Sequence, residues 1–215
     1  MRATLLTQIP ESGTLEEQHF SVSADRNAWV LFEQSKFQWV GVFGSTESAD
    51  FTGIASFDAD AAQTVLVVAG GQGYVVDVPS RSLVRKTPWD YCYAAMPVIG
   101  ADLVVCADPW SIWTTSGEGD VYARITDPRH TDMNGGPDRE RIAWDAIILD
   151  DLDETTVTGR LEELEGWYEF RLSLTTMTVE RGRQITGIEA GIQADYARGY
   201  PPNEAARERS ASYAL

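Results

Sequence analysis

The segment 64–78, T-V-L-V-V-A-G-G-Q-G-Y-V-V-D-V, constrains the fold more than any other part of the chain. Two runs of β-branched apolar residues flank a turn that contains Gly70, Gly71 and Gly73, and this arrangement predicts a tight β-hairpin. Residues 65–68 are all apolar, so we expect this strand to be central and covered on both faces. A phosphate-binding loop is the alternative interpretation of the glycines, but it requires a helix to follow them, and here a strand follows.

The rest of the chain repeats this pattern. An aromatic residue opens each of three units, at Phe51, Trp89 and Trp144, and a second aromatic residue follows it after 23, 24 and 23 positions. The unit starts are 38 and then 55 residues apart, and the excess of 17 is close to the length of a polar loop at residues 126–140, which looks like an insertion between units. Going back by one period predicts a fainter first unit over residues 13–50.

Units of about 40 residues with several short strands are typical of propeller blades. We therefore predict an all-β fold, a β-propeller-like array of about four antiparallel meander units. It forms a single domain over residues 1–182, followed by a short helical or irregular tail at 183–215. A twisted β-sandwich or an open barrel is the alternative, because hairpins at such spacing occur in many all-β proteins. The residues expected in the core are Val67, Val76, Val104, Trp113, Val157 and Phe170.

The charge of the chain favours a particular kind of partner. There are 33 acidic and 17 basic residues, which gives a formal net charge of −16. A surface of that sign repels nucleic acid and anionic membranes, so we expect neither as a partner. A basic protein partner fits the charge better. The sequence leaves the oligomeric state open.

The two cysteines indicate a reducing compartment. Cys92 and Cys106 lie in apolar strand segments, where burial keeps a thiol protonated, so we expect reduced structural thiols. Residues 1–10 lack the apolar core and cleavage site of a signal peptide, and no run approaches the ~20 apolar residues that span a bilayer. The sequence therefore predicts a cytoplasmic protein.

A search for catalytic or metal-binding groups yields no candidate. Neither His19 nor His130 has a neighbouring Cys, His or acid at zinc-site spacing. The acidic pair Asp58 and Asp60 lacks the glycine and the final glutamate of a calcium loop. No Gly-x-Ser-x-Gly elbow exposes a nucleophile. We therefore expect no cofactor, no metal and no catalytic residue, and we favour a non-enzymatic protein.

Two function classes remain. The first is an acidic protein-binding module, for instance an immunity-type protein that neutralises a basic toxin. Its candidate binding surface joins the inserted loop to the acidic stretch that follows the next strand, through Asp132, Asp138, Glu140, Asp150, Asp151, Asp153 and Glu154. A mobile loop beside a solvated turn is the structural alternative. The second class is a propeller-like protein that binds a small ligand or a carbohydrate, or hydrolyses it. Its aromatic residues would stack on sugars, and the candidates are Trp110, Trp113, Trp167 and Tyr168. Trp in β-meanders is more often a core residue, which is the structural alternative.

Three runs of sequence carry a resemblance. They are V-V-A-G-G-Q-G-Y-V-V-D-V, then L-V-V-C-A-D-P-W-S-I-W, then I-A-W-D-A-I. In this order they resemble a group of uncharacterised bacterial all-β proteins with propeller-like repeats, over roughly residues 39–180. Glycines and core aromatics of this kind specify a fold and not a chemistry, so the resemblance implies the fold class and no site residue. The inserted loop and the tail depart from the pattern.

Overall fold

The chain folds into β-strands grouped in four sheets. The computed structural model describes residues 1–11, 13–21, 26–34, 37–45, 51–57, 64–89, 91–98, 100–108, 111–125, 146–163 and 166–185. Within these ranges the regular elements are strands, and none of them is a helix. The predicted all-β class is therefore confirmed, and the four sheets of the described residues are consistent with the predicted propeller-like array of about four units.

Sheet A contains the first four strands, β1 (Arg2–Leu5), β2 (Glu17–His19), β3 (Arg26–Gln34) and β4 (Phe37–Ser45). Its strand order is β1-β3-β4-β2, and β3 and β4 form an antiparallel hairpin. The short β2 lies on the far side of β4 and runs parallel to it. The predicted first unit began at Gly13, but the sheet already includes β1, because β1 pairs with β3 along its other edge.

Sheet B is an antiparallel meander of β5 (Gly53–Ser56), β6 (Thr64–Ala69), β7 (Gln72–Asp77) and β8 (Ser82–Lys86). The predicted hairpin is confirmed, with Gly70 and Gly71 at φ values of 54° and 85°, in the left-handed region that a tight primed turn requires. Residues 65–69 are all buried, so β6 is covered on both faces. The Gly71 N–H also donates to the Phe51 carbonyl (3.0 Å), which ties the turn to the start of the sheet.

Sheet C comprises β9 (Ala94–Pro97), β10 (Val104–Ala107), β11 (Ile112–Thr115) and β12 (Asp120–Tyr122), in the order β12-β11-β10-β9. Sheet D comprises β13 (Arg124–Ile125), β14 (Ala146–Leu152), β15 (Thr156–Glu163), β16 (Gly166–Ser173) and β17 (Thr178–Gln184), in the order β13-β17-β16-β15-β14. Strands β12 and β13 follow each other closely in the chain but belong to different sheets, because β12 pairs with β11 whereas β13 pairs in parallel with β17.

The contacts divide the chain into two compact units. The first contains sheets A and B and strand β9, and the second contains strands β11 and β12 and sheet D. Strand β17 continues to Gln184, two residues past the predicted end of the domain. Residues 186–215 and the inserted loop 126–140 lie outside the described residues, so the domain boundary and the nature of the tail stay predictions.

Two loops show the repeat at atomic detail. The turns β7–β8 and β16–β17 each contain four residues, and each is closed by a cross-strand pair, Asp77 with Ser82 and Ser173 with Thr178. In each, the first side chain accepts the N–H three residues later, at 2.8 Å and 3.4 Å. The last loop residue is left-handed in both, at φ 56° for Arg81 and 52° for Met177. The two sheets therefore use one turn geometry at the same place.

The core of the first unit is a cluster of apolar side chains from β3, β4, β6 and β7. Trp39, Phe32 and Phe43 are fully buried in it, and Tyr74 completes it with a hydroxyl that donates to the Gly44 carbonyl. All six residues predicted to be buried are buried, namely Val67, Val76, Val104, Trp113, Val157 and Phe170. Cys92 and Cys106 are buried free thiols, as predicted.

Candidate functional site

The acidic stretch 150–154 lies at the tip of the β14–β15 hairpin. The strand pattern changes there, since Ile147, Ile148 and Leu149 are buried and the residues that follow are exposed. The register shifts between Leu149 and Asp151, so Asp150 is an extra residue in β14, as in a β-bulge. The four residues of this stretch that carry carboxylates, Asp150, Asp151, Asp153 and Glu154, are all exposed. We call residues 150–154 the acidic tip.

Asp150 is the carboxylate of the acidic tip that is neutralised. Its two oxygens accept hydrogen bonds from Nε and Nη2 of Arg160, at 2.8 Å and 2.6 Å. The Arg160 side chain is only 15% exposed and that of Asp150 is 35% exposed, so the bidentate pair is partly shielded from water. Asp150 therefore holds the bulge in place and is a poor candidate for binding a partner.

Asp153 shapes the turn at the end of the hairpin. One of its carboxylate oxygens accepts the N–H groups of Thr155 and Thr156, both at 2.8 Å, and the Thr155 hydroxyl at 3.2 Å. The hydrogen bond from the Thr155 N–H is the largest of several contributions that lower the pKa of this carboxyl, and Arg171 adds an electrostatic one. Asp153 is therefore ionised at neutral pH, and its charge also serves the local fold.

Asp151 and Glu154 are the carboxylates of the acidic tip that are free to bind. Both are exposed. The Asp151 carboxylate accepts the N–H of Leu152 at 2.9 Å. Neither residue forms an ion pair with any residue that the structure describes. The arrangement can thus offer two unpaired carboxylates, with that of Asp153 beside them, to a cation from outside.

The neighbouring surface of sheet D is electrically balanced, in contrast to the acidic tip. Arg183 donates from Nε to Glu169 at 2.8 Å, and this bond lowers the pKa of Glu169 and raises that of Arg183. Arg160 stands opposite Glu169, and Arg171 stands opposite Glu180. Oppositely charged residues thus face each other across these strands.

The other residues singled out in the sequence are either outside the described residues or in other parts of the fold. Asp132, Asp138, Glu140, His130 and Trp110 are outside the described residues, so their place near the acidic tip stays a prediction. Trp113, Trp167 and Tyr168 are buried, at 0%, 1% and 6% exposure, and do not present their rings to a sugar. His19 is exposed and contacts Glu17 at 3.3 Å. Among the described residues no cluster of His, Cys, Asp or Glu could hold a metal ion.

Two features of this hairpin are not evident from the sequence alone. The first is Arg160, which removes one of the four carboxylates from consideration. The second is Gly159, which faces Leu149 where the bulge begins. The sequence shows an Arg ten positions after Asp150, but this spacing indicates an ion pair only once the register of β14 and β15 is known.

The described part of the chain contains no helix that is long and apolar enough to cross a membrane. Taken together, the sheets define a protein of the all-β class with a propeller-like array of meander units.

Comparison with known proteins adds little to this class. No protein-family model matches the chain, and no curated protein matches it either. Among solved structures, the chain is similar to hydrazine synthase from Kuenenia stuttgartiensis, with a TM-score of 0.42, 11% identity, and coverage of 81% of this chain and 52% of that one. It is also similar to the tricorn protease, with a TM-score of 0.31, 12% identity, and coverage of 77% and 17%. The chain therefore spans about half the length of the first and less than a fifth of the second.

Proposed function

We propose that this chain is a non-enzymatic, acidic protein-binding module that captures a basic protein through its acidic tip. An immunity-type protein that neutralises a basic toxin in the cytoplasm is the specific form that we favour. The observation that carries the proposal is the state of Asp151 and Glu154, two exposed carboxylates without an ion pair to any described residue. The free thiols Cys92 and Cys106 agree with a reducing compartment.

The geometry of the acidic tip supports recognition of cations and not of a neutral ligand. A β-bulge and the Asp150–Arg160 ion pair fix the backbone, so the two free carboxylates are presented from a defined hairpin. Asp153 adds a third negative charge whose lowered pKa keeps it ionised well into the acidic range. Exposed carboxylates of this kind pair best with Arg or Lys side chains of a partner protein.

The net charge of −16 contributes at longer range. A negative surface attracts a basic partner before contact and can raise association rates from about 10⁵–10⁶ to 10⁸–10⁹ M⁻¹s⁻¹ at low salt. The same attraction is screened at high salt, where the Debye length falls to about 3 Å at 1 M. A steep dependence of capture on salt is therefore expected.

The proposal is tested with two variants of equal net charge. In the tip variant, Asp151→Asn and Glu154→Gln remove the free carboxylates and leave Asp150 and Asp153 in their structural roles. In the control variant, Glu11→Gln and Asp102→Asn remove two exposed charges elsewhere. Each protein is immobilised, an extract of the native host is passed over it at low and high salt, and bound proteins are identified by mass spectrometry.

We expect wild type and the control variant to retain the same basic protein at low salt, and the tip variant to retain it ~5- to 30-fold more weakly. This range corresponds to two exposed ion pairs of roughly 0.5–1 kcal/mol each. If the tip and control variants lose capture equally, net charge and not the acidic tip is responsible. If all three proteins capture equally, or if no basic protein is enriched, the proposal is wrong.

A further inference from the structure

Sheet A differs from the other sheets in the strand that forms its last edge. In sheets B, C and D a hairpin returns the chain, so that β8, β12 and β17 run antiparallel to the strand before them. In sheet A the corresponding edge of β4 is covered by β2, which precedes β3 in the chain and runs parallel to β4. We call residues 16–20 the strap.

The strap pairs with only a short part of the edge of β4. Strand β4 has nine residues, whereas β2 has three, and all three are exposed. Two backbone hydrogen bonds join the ends of the strap to β4. The Val40 N–H donates to the Glu16 carbonyl, and the Phe20 N–H donates to the Val42 carbonyl, both at 2.9 Å. Short parallel pairing of this kind is less stable per residue than an antiparallel hairpin.

Two side chains hold the strap at its ends. The Phe20 ring stacks on Phe43, with centroids 4.8 Å apart and planes 7° from parallel. At the other end the Glu16 carboxylate accepts a hydrogen bond from Nη1 of Arg81 in an ion pair. The Arg81 guanidinium also lies over an aromatic ring of β4, 5.6 Å from the centre of Phe37.

The edge of β4 therefore offers a row of distinct positions. Trp39, Gly41 and Phe43 lie on one face of β4, and a Cβ at Gly41 would come within 2.6 Å of the Phe43 ring, so the Phe43 ring fills the space above Gly41 and no larger side chain fits there. Residue 18 of the strap pairs with Gly41, and Phe20 packs two positions further along on the same face. Arg81 supplies positive charge at one end, and the Phe43 ring supplies an apolar surface at the other.

We propose that this edge of β4 is a docking site for an extended polypeptide of a partner protein, with a carboxylate and, four residues later, an aromatic side chain. The strap is the placeholder that occupies the site in the free protein. The occupant is defined by charge complementarity to Arg81 and by the aromatic surface of Phe43. Addition of a strand to a sheet edge is a common mode of peptide recognition, in which backbone bonds provide affinity and alternate side chains provide specificity. This site is separate from the acidic tip and does not depend on it.

The test loosens the strap and offers its sequence in trans. In the strap variant, Glu16→Gln and Phe20→Ser are introduced into the full chain. Glu17→Gln, on the opposite face of the same strand, serves as the matched control. The probe is a fluorescent peptide of residues 14–21, whose binding is measured by fluorescence anisotropy, together with a peptide that carries Phe20→Ser. A third protein adds Arg81→Ala to the strap variant.

We expect the strap variant to keep a cooperative melting transition and to bind the probe at least about tenfold more tightly than wild type or the Glu17→Gln control, because its own strap no longer competes. The Phe20→Ser peptide and the Arg81→Ala protein should each weaken binding by about tenfold, because they remove the aromatic stack and the ion pair. Equal binding of the probe by wild type and strap variant would overturn the proposal. Loss of the melting transition in the strap variant would also overturn it, since β2 would then be an indispensable strand and not a placeholder.

Discussion

Replacement of Gly159 by Ala tests the geometry of the hairpin that carries the acidic tip. Gly159 pairs with Leu149 in β14, next to the bulge. A Cβ at this position would lie 2.1 Å from the Ile148 carbonyl oxygen and 2.6 Å from the Phe170 ring. The first neighbour is backbone and the second is a buried ring, so neither can move aside without disturbing the sheet.

The size of the effect follows from these distances. An ordinary contact between carbon and oxygen needs ~3.3 Å, so β14 and β15 must separate by roughly 1 Å where adjacent strands are normally ~4.8 Å apart. Such a shift weakens about two hydrogen bonds of the ladder, at roughly 0.5–1.5 kcal/mol each. Overpacking against Phe170 adds about 1–3 kcal/mol. We therefore expect Gly159→Ala to lower the free energy of unfolding by about 3 kcal/mol, or the melting temperature by ~6–12 °C.

Urea denaturation followed by tryptophan fluorescence measures this loss. Gly117→Ala is the matched control, because a Cβ there would have no atom within 4 Å. We expect the control to remain within about 0.5 kcal/mol of wild type. A Gly159→Ala protein that also stays within ~0.5 kcal/mol would show that β14 and β15 are not paired in the register described.

Three further predictions concern the core. Val67→Ala should cost about 1–3 kcal/mol by urea denaturation, since Val67 is fully buried in β6, and a loss below ~0.5 kcal/mol would mean that the strand is misplaced. Cys92 and Cys106 should react with a thiol reagent only after unfolding, so rapid modification of the folded protein would contradict their burial. Burial raises the pKa of the Tyr74 hydroxyl above its ordinary value of 10.0. The stability from neutral Tyr74 is therefore intact below about pH 10 and lost as the pH rises through the raised pKa. Tyr74→Phe should flatten this decline in an alkaline melting series, and an unchanged decline would assign it to other groups.

Much of the fold could be predicted from local sequence. The hairpin at Gly70 and Gly71 was predictable because a primed turn needs left-handed residues between apolar strands, and glycine adopts that conformation at little cost. The burial of Trp113 and Phe170 was predictable because large aromatic side chains in β-meanders most often lie in the core. These features depend on neighbours within about ten residues, so the sequence carries them directly.

The remaining features depend on pairings between distant residues. Strand β2 has no apolar pattern of its own, and it forms because Phe20 packs against Phe43 and Arg81 reaches Glu16 across 65 positions. The four carboxylates of the acidic tip look equivalent in sequence. Only the register of β14 and β15 shows that Arg160 neutralises Asp150, and only the turn geometry shows that Asp153 serves the backbone.

The most direct test of the central claim is the association rate of the captured basic protein, measured by stopped flow at two salt concentrations. We expect the rate for wild type to fall steeply as salt increases. The protein with Asp151→Asn and Glu154→Gln should show a lower rate and a shallower dependence on salt, whereas the charge-matched Glu11→Gln and Asp102→Asn protein should stay close to wild type. Equal rates and equal salt dependence for all three proteins would contradict the assignment of the acidic tip as the binding surface.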